Sequence, residues 1–320
     1  MSTEQSQSLS SSAQAVHTHA ADTQGVTDDI VLSASASDAP VRPDTLALGP
    51  RFRLDARRVH VMGILNVTPD SFSDGGKFVA RDAALRHAEQ LIADGVDILD
   101  IGGESTRPGA EALPEDAELE RVVPIVEALR DCGVPMSIDT YKPGVMRAVL
   151  AAGADMINDI WGFQQPGALE AVRDSEAALC IMHMLHDPKT MQEAPIYTDV
   201  VTEVAAFLDG RVDAMLAAGV APTRLYLDPG FGFGKNLAHN LALLKHLRVL
   251  SRDGLPLLVG MSRKRMLGEI TGRQTPQERR VASVAAAICA AQRGAAIMRV
   301  HDVAETVDAL KVWQAVRDAE

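Results

Sequence analysis

Eight short apolar runs recur along most of this chain, and each is followed by a segment with helical periodicity. Their starts lie about 34 residues apart, close to the ~30-residue length of a strand–helix–strand unit. The runs are apolar at consecutive positions, as in parallel strands that are covered on both faces. We therefore predict eight parallel strands, at 59–66, 98–101, 134–139, 156–159, 178–184, 225–228, 257–261 and 297–300.

Eight such units within residues 51–320 predict a single-domain α/β fold of the (β/α)8 TIM-barrel class. The competing fold is an open doubly wound sheet. The regularity of the units favours the closed barrel, and so does the lack of a Gly-x-Gly-x-x-Gly sequence after the first run. Helices are predicted at 83–94, 115–131, 200–218 and 303–317. Glycines follow several helical stretches, where a left-handed residue is expected: Gly95, Gly133, Gly153, Gly219 and Gly294.

Residues 1–50 are rich in Ser, Ala, Gln, Thr and Asp without periodicity, which predicts a disordered tail. The net charge of −12 argues against nucleic acid as a partner, because a phosphate backbone needs a basic face. No apolar run approaches the roughly 18 residues of a membrane span, and the first residues do not resemble an export signal. Three scattered cysteines predict neither disulfides nor a metal site. We expect a cytoplasmic protein.

Polar side chains stand at or near the ends of most of the apolar runs. In a parallel barrel the carboxyl ends of the strands meet at one mouth, where active sites form. Any single residue can instead be a loop cap or a satisfied core group, but their convergence favours a binding site. The residues are Asn66, Asp100, Asp139, Asn158, Asp228, Ser262, Arg263, Lys264, Arg299 and His301.

The charges of these residues separate along the chain. The basic residues follow the last two strands, where barrels often bind phosphate, and they predict an anion of that type. Ser262 can head a helix that offers free N–H donors to the anion. The acidic and amide residues stand at the ends of the third, fourth and sixth strands, and they can pair with the edge of a flat purine- or pterin-like ring.

Two other interpretations are weaker. His183 and His186 can suggest a metal pair, but no acidic third ligand stands at a recognisable spacing, so packing at a strand end is favoured. Lys264 can suggest a Schiff-base lysine, but Arg263 and Arg265 beside it favour a phosphate or hydrogen-bonding role. Two long connections, at 68–80 and 103–114, are candidate lids.

Over residues 59–315 the sequence resembles the dihydropteroate synthase family in six blocks. They are GILNVTPDSFSDGG at 63–76, DIGGESTRPG at 100–109, SIDT at 137–140, LDPGFGFGK at 227–235, GMSRK at 260–264 and RVHD at 299–302. The resemblance implies a transferase that joins 7,8-dihydropterin-6-ylmethyl diphosphate to 4-aminobenzoate. The products would be diphosphate and 7,8-dihydropteroate, for folate biosynthesis. It also implies a homodimer and competition by sulfonamides with the aryl amine.

The same resemblance implies roles for individual residues. The pterin edge would be held by Asp139, Asn158, Asp228 and Lys264, with Met182 and Phe233 packed against the ring. The diphosphate would be bound by Arg299, His301 and an Mg²⁺ ion on Asn66. The 4-aminobenzoate would be framed by Thr106, Arg107, Pro108 and Ser262, with Arg263 as a further substrate contact. Asp70 and Asp74 would help close the site; the catalytic set would be Asp74, Arg107, Asp139, Lys264, Arg299 and His301.

The implied reaction is a dissociative, SN1-like substitution, because the electron-rich ring can delocalise the cation that diphosphate departure leaves behind. Tyr141 and Trp161 stand where smaller residues are frequent in the family, so they are expected to reshape the pterin side of the pocket. Two rivals are a pterin-binding methyltransferase domain and a barrel that binds pterin without catalysis. The loop at 104–108 and the turn at 262–264 favour the synthase.

Overall fold

The computed structural model of the chain describes residues 44–67, 76–105, 112–185 and 195–319. Within these ranges we number ten strands and nine α-helices. The strands are β1 (Thr45–Leu48), β2 (Phe52–Asp55), β3 (His60–Asn66), β4 (Ile98–Gly102), β5 (Met136–Asp139), β6 (Met156–Asp159), β7 (Ala178–Met182), β8 (Leu225–Asp228), β9 (Leu257–Val259) and β10 (Ala295–Val300). The helices are α1 (Gly76–Ala93), α2 (Glu115–Leu129), α3 (Pro143–Ala152), α4 (Ala168–Val172), α5 (Val200–Ala217), α6 (Leu237–Lys245), α7 (Arg265–Thr271), α8 (Arg280–Gln292) and α9 (Val303–Arg317).

Eight of these strands form one closed parallel barrel, in the order β10-β3-β4-β5-β6-β7-β8-β9. Successive strands along the chain are neighbours in the barrel, and helices lie between them. The predicted barrel and its eight strands are therefore confirmed, and β6 and β8 have the predicted bounds. The five glycines predicted to follow helices all have positive φ, between 87° and 111°.

Two apolar layers stabilise the barrel. One lies between the strands and the helices and includes Leu65, Ile101, Val126 and Leu208. The other fills the barrel interior with Met62, Ile98, Met156, Tyr226 and Ile297. Each such side chain contributes roughly 1.5–3 kcal/mol when it is fully buried. The polar side chains predicted at the strand ends therefore lie above a filled aliphatic interior.

The antiparallel hairpin β1–β2 packs against the amino end of the barrel. Leu46 and Leu48 are buried in the same cluster as the barrel interior, and Arg51 forms a bidentate ion pair with the buried Asp155, at 2.9 and 2.7 Å. The predicted disordered tail at 1–50 is therefore wrong for residues 44–50, while residues 1–43 lie outside the described part. The alternation of buried and less buried residues extends over only four positions, too few to be recognised as a strand.

None of the helices that the structure describes has the length and apolar content required to span a bilayer.

Candidate active site

A buried ionic network lies inside the barrel, around Arg299 of β10. Its Nε donates to Oδ2 of Asp100 at 2.6 Å, and its Nη2 donates to Oδ2 of Asp139 at 2.7 Å. The hydroxyl of Ser137 donates to the other oxygen of Asp100, also at 2.6 Å. Burial alone would lower the pKa of Arg299, but the two carboxylates outweigh it and raise the pKa above its ordinary value. The guanidinium therefore stays charged and joins three strands of the barrel.

Asp139 and Asn158 are register partners at the carboxyl ends of β5 and β6. Both side chains are buried, and Oδ1 of each has no hydrogen-bond partner among the residues that the structure describes. A buried oxygen without a donor costs about 1–3 kcal/mol, and at the mouth of a barrel a bound ligand can supply the missing donor. Burial raises the pKa of Asp139, while Arg299 opposes that shift.

Asp228 ends β8, and Lys264 lies close enough to influence its ionisation. Burial raises the pKa of Asp228, and Lys264 opposes the shift. Burial lowers the pKa of Lys264 to about 8, and Asp228 opposes that shift in turn. The Lys264 ammonium donates to the carbonyl oxygen of Phe231 at 2.5 Å and lies 4.6 Å from the centre of the Phe233 ring. Acidic and basic groups are thus interleaved around the mouth, not separated into two patches as their order along the chain suggests.

An apolar cluster borders these charges. Met182, Ile160 and Met184 are buried in it, and the partly buried rings of Tyr141, Trp161 and Phe233 pack around them. The structure therefore places Met182 and Phe233, the two residues predicted to pack against the ring, in one cluster. It also places Tyr141 and Trp161 there, with ring centroids 6.3 Å apart.

The residues predicted for the anion lie on β10, directly after β10, and in the turn after β9. The backbone N–H of His301 donates to the hydroxyl of Ser262 at 3.1 Å, and Nδ1 of His301 lies 3.0 Å from the same oxygen. Arg263 adopts a positive φ of 58°, and its guanidinium forms a bidentate pair with the buried Asp302. That contact fixes the turn to the start of α9, and the substrate contact of Arg263 stays a prediction.

Asn66 is exposed at the carboxyl end of β3, in register with Gly102 of β4. No group of three or more His, Cys, Asp or Glu side chains suited to a metal occurs in the described ranges. Mg²⁺ usually takes one or two protein oxygens together with substrate phosphates and water. The amide oxygen of Asn66 fits that type of site.

Several predicted residues lie outside the described ranges: Asp70, Asp74, Thr106, Arg107, Pro108 and His186. The structure does describe His183, which is buried, packs edge-on against Phe207 at 4.8 Å and has Nδ1 2.9 Å from the ammonium of Lys235. The packing interpretation of His183 agrees with these contacts.

The sequence did not single out a second buried ion cluster beside the mouth. The ammonium of Lys142 contacts the carboxylates of Glu104 and Glu118, and Tyr141 donates to Glu104 at 3.1 Å. The position of Lys142, two residues after the SIDT block, was the available signal. The cluster joins the loops that follow β4 and β5 to α2.

Comparison with known proteins agrees with this geometry. The family model described as pterin binding enzyme matches residues 62–301. The dihydropteroate synthase of Escherichia coli K12 is 50% identical over 268 residues, which cover 83% of this chain and 95% of that protein. The chain belongs to the dihydropteroate synthase family.

Solved dihydropteroate synthases have the same fold. The Burkholderia cenocepacia enzyme, solved in complex with 7,8-dihydropteroate, has 59% identity and a TM-score of 0.79, covering 87% of this chain and 98% of that one. The Xanthomonas albilineans enzyme, solved with 4-aminobenzoic acid, has 54% identity and a TM-score of 0.78, covering 84% and 96%. Named relatives at this identity are synthases, which favours the synthase over the methyltransferase alternative.

Proposed function

We propose that this chain condenses 7,8-dihydropterin-6-ylmethyl diphosphate with 4-aminobenzoate, releasing diphosphate and forming 7,8-dihydropteroate for folate biosynthesis. The observation that carries the proposal is the pair of buried, unpartnered oxygens, Oδ1 of Asp139 and Oδ1 of Asn158, at the mouth of a barrel of this family. A pterin carries amino and ring N–H donors along one edge, which such acceptors can bind.

Recognition of the pterin combines these acceptors with Asp228 and Lys264. Asp228 accepts from the backbone N–H of Gly230 through Oδ1 at 2.7 Å, so its second oxygen is available to the ring edge. Lys264 is the cation of this set and donates to an acceptor on the pterin ring. The apolar cluster around Met182 and Phe233 packs against the face of the ring. The mouth thus combines acceptors for the amino group of a flat ligand, a donor for its carbonyl group and apolar side chains for its face.

Departure of diphosphate is the demanding step, because it leaves positive charge on the pterin methylene and adds negative charge to the leaving group. The mouth carries one more negative than positive side-chain charge when all its groups are ionised, which favours a cationic pterin. The carboxylates are Asp100, Asp139 and Asp228, and the cations are Arg299 and Lys264. Arg299 and His301 bind the departing anion. Asn66 would hold an Mg²⁺ ion, which when bound would supply further positive charge for the phosphate oxygens.

Attack by the aryl amine then completes an SN1-like substitution at the methylene. Thr106, Arg107, Pro108 and Ser262 position the 4-aminobenzoate. The connection that contains Asp70 and Asp74 excludes water, which otherwise competes for the same carbon. Sulfonamides compete with the amine for this position.

The test is diphosphate release from the pterin diphosphate, with and without 4-aminobenzoate and Mg²⁺. The proposal expects dihydropteroate to form only when both are added, with one diphosphate released for each dihydropteroate formed. Binding of the pterin without any turnover would contradict the synthase and favour a barrel that only binds pterin.

We further propose that the enzyme is a cytoplasmic homodimer that uses only small-molecule substrates. Exposed apolar side chains on adjacent helices support self-association, among them Ile270 of α7 and Val281 of α8, which are 53% and 80% exposed. Sedimentation equilibrium should give twice the chain mass of 34.2 kDa, and a mass of one chain would contradict the dimer.

A further inference from the structure

The loop between β8 and α6, residues 229–236, is held in an unusual backbone conformation. Gly230, Gly232 and Gly234 have positive φ values of 67°, 79° and 63°. Glycine tolerates these angles without strain, but it also has the greatest freedom to leave them. A Cβ at Gly230 would lie 1.9 Å from the carbonyl oxygen of His183, so the loop and the end of β7 are in direct contact. Side-chain contacts are therefore needed to select its conformation.

Lys235 provides three of these contacts at one atom. Its Nζ lies 2.9 Å from Nδ1 of His183, 2.9 Å from the carbonyl oxygen of Gly230 and 2.9 Å from that of Phe233. An ammonium group has three N–H donors and no acceptor, so this cage of three acceptors satisfies all of them. Lys235 is only 3% exposed. Burial lowers the pKa of Lys235, and Asp228 opposes that shift.

His183 is suited to the acceptor role by its surroundings. An ammonium group has no acceptor, so in contact with it Nδ1 can only accept, and the neutral ring then carries its proton on Nε2. Burial, with a contribution from Lys235, lowers the pKa of His183 to about 2. Its backbone N–H donates to the carbonyl oxygen of Asp228 at 2.9 Å. His183 thus connects the end of β7 to both ends of the loop.

The opposite side of the loop contacts predicted substrate residues. The carbonyl oxygen of Phe231 accepts from the Lys264 ammonium at 2.5 Å, and the Phe233 ring lies 4.6 Å from the same ammonium. A Cβ at Gly232 would lie 3.2 Å from Cδ of Lys264. The loop conformation therefore determines where Lys264 and Phe233 lie.

We propose that Lys235 is a positioning residue for substrate recognition: its cage of His183 and two loop carbonyls fixes the loop that places Phe233 and Lys264 at the mouth. The inference rests on the proposed function only for the identity of the ligand. It gives Lys235 and His183 a shared role that neither metal binding nor simple packing provides.

The test compares Lys235→Met, His183→Leu and His183→Asn with the wild type. Methionine keeps much of the length and apolar body of lysine but removes the donors, and leucine removes the acceptor. Asparagine retains an oxygen acceptor near the position of Nδ1. Titration calorimetry with a dihydropterin should give a Kd raised about tenfold or more for Lys235→Met and His183→Leu, because the hydrogen bonds that hold the loop are lost. His183→Asn should stay within about threefold of the wild type.

Two controls separate positioning from general damage. Tyr226→Phe removes one hydroxyl bond to a backbone carbonyl, that of Ala47 at 2.9 Å, at the other end of the barrel, and should leave Kd unchanged. Circular dichroism at the titration temperature verifies that each variant is folded. If Lys235→Met does not fold, the comparison of His183→Leu with His183→Asn still tests whether the acceptor at position 183 is required. Equal Kd values for all folded variants, or equal impairment of the two His183 variants, would overturn the proposal.

The tautomer of His183 tests the cage without any ligand. Nitrogen-15 NMR of histidine-labelled wild type should show an unprotonated Nδ1 and a protonated Nε2 at neutral pH. A protonated Nδ1 would overturn the cage even if the enzyme is active. Absence of pterin binding by the wild type, with the expected tautomer, would instead contradict the proposed function and leave the cage supported.

Discussion

At the amino end of the barrel, the aliphatic side chains Leu46 and Leu48 are buried, and Arg51 is bonded to both oxygens of Asp155. At the carboxyl end, Asp139 and Asn158 each keep a buried oxygen that has no partner in the described part of the chain. The amino end has the contacts that stabilise a fold, whereas the carboxyl end keeps polar groups that a ligand can satisfy. Stability and binding are thus assigned to opposite ends, as is general in parallel barrels.

The largest effect is expected at Arg299, because this one residue contributes to both stability and binding. Arg299→Met leaves Asp100 and Asp139 buried without their cation, and should lower the free energy of unfolding by about 3–5 kcal/mol. It should also lower kcat/KM by about 10²-fold or more, since positive charge at the anion site is lost. Urea denaturation and diphosphate release measure the two effects.

The loss of stability should depend on pH. Burial raises the pKa of Asp139, and without Arg299 its folded pKa rises further above the unfolded value. The folded variant then binds more protons than the unfolded chain, so its stability falls as pH rises through the folded pKa. The deficit should be larger at pH 8 than at pH 5. Equal stability of variant and wild type at pH 8 would contradict the network.

Arg51→Met should affect stability alone. The change leaves Asp155, whose side chain is 1% exposed, without its bidentate partner, and should cost about 2–3 kcal/mol. The matched control is Arg57→Met in the same hairpin. Its pair with Asp55 is exposed to solvent, so its loss should leave the free energy of unfolding nearly unchanged. KM values should be unchanged in both variants, and a raised KM in Arg51→Met would contradict the division between the two ends.

His183 should make the wild type sensitive to acid. Its folded pKa is about 2, below the ordinary value of 6.5, so the unfolded chain binds one more proton below pH 6.5 and stability is lost as pH falls. His183→Asn has no titratable group at this position, so its stability lacks this dependence on pH. From pH 6.5 to pH 5.0 the wild type should therefore lose about 2 kcal/mol relative to the variant. Urea denaturation of both proteins at the two pH values measures this loss. If the wild type and His183→Asn lose the same free energy of unfolding, the pKa of His183 is not lowered by folding.

Tyr226→Phe should give the smallest effect, a loss of about 1 kcal/mol, because one neutral hydrogen bond to Ala47 is removed. The aliphatic contacts of the ring remain. A change in Kd for dihydropterin would show that the two ends of the barrel are coupled.

Much of the fold was predictable because its signals are local and repeated. The apolar runs gave all eight barrel strands, and the bounds of β6 and β8 agree residue for residue. The hairpin was missed because β1 and β2 have only four residues each and are preceded by a polar segment. Short strands of this kind owe their stability to the barrel they contact, which local periodicity does not report.

The candidate site was predictable as a set of residues but not as a set of partners. The rule that strand ends converge identified Asp139, Asn158, Asp228 and Arg299. That Arg299 bonds to Asp139 depends on which side chains face the barrel interior at the same level, which follows only from strand register. The Lys142 cluster and the Lys235 cage were missed for the same reason, since each depends on a partner far away in sequence, Glu104 for Lys142 and His183 for Lys235.

The most direct measurement compares Asn158→Leu with the wild type, by calorimetric titration with a dihydropterin and by urea denaturation. Leucine has a similar shape and removes a buried oxygen that lacks a partner among the described residues, so the unfolding free energy should not fall. The Kd for the dihydropterin should rise about tenfold or more, because a ligand donor loses its acceptor. A folded variant that binds the dihydropterin as tightly as the wild type would contradict the account.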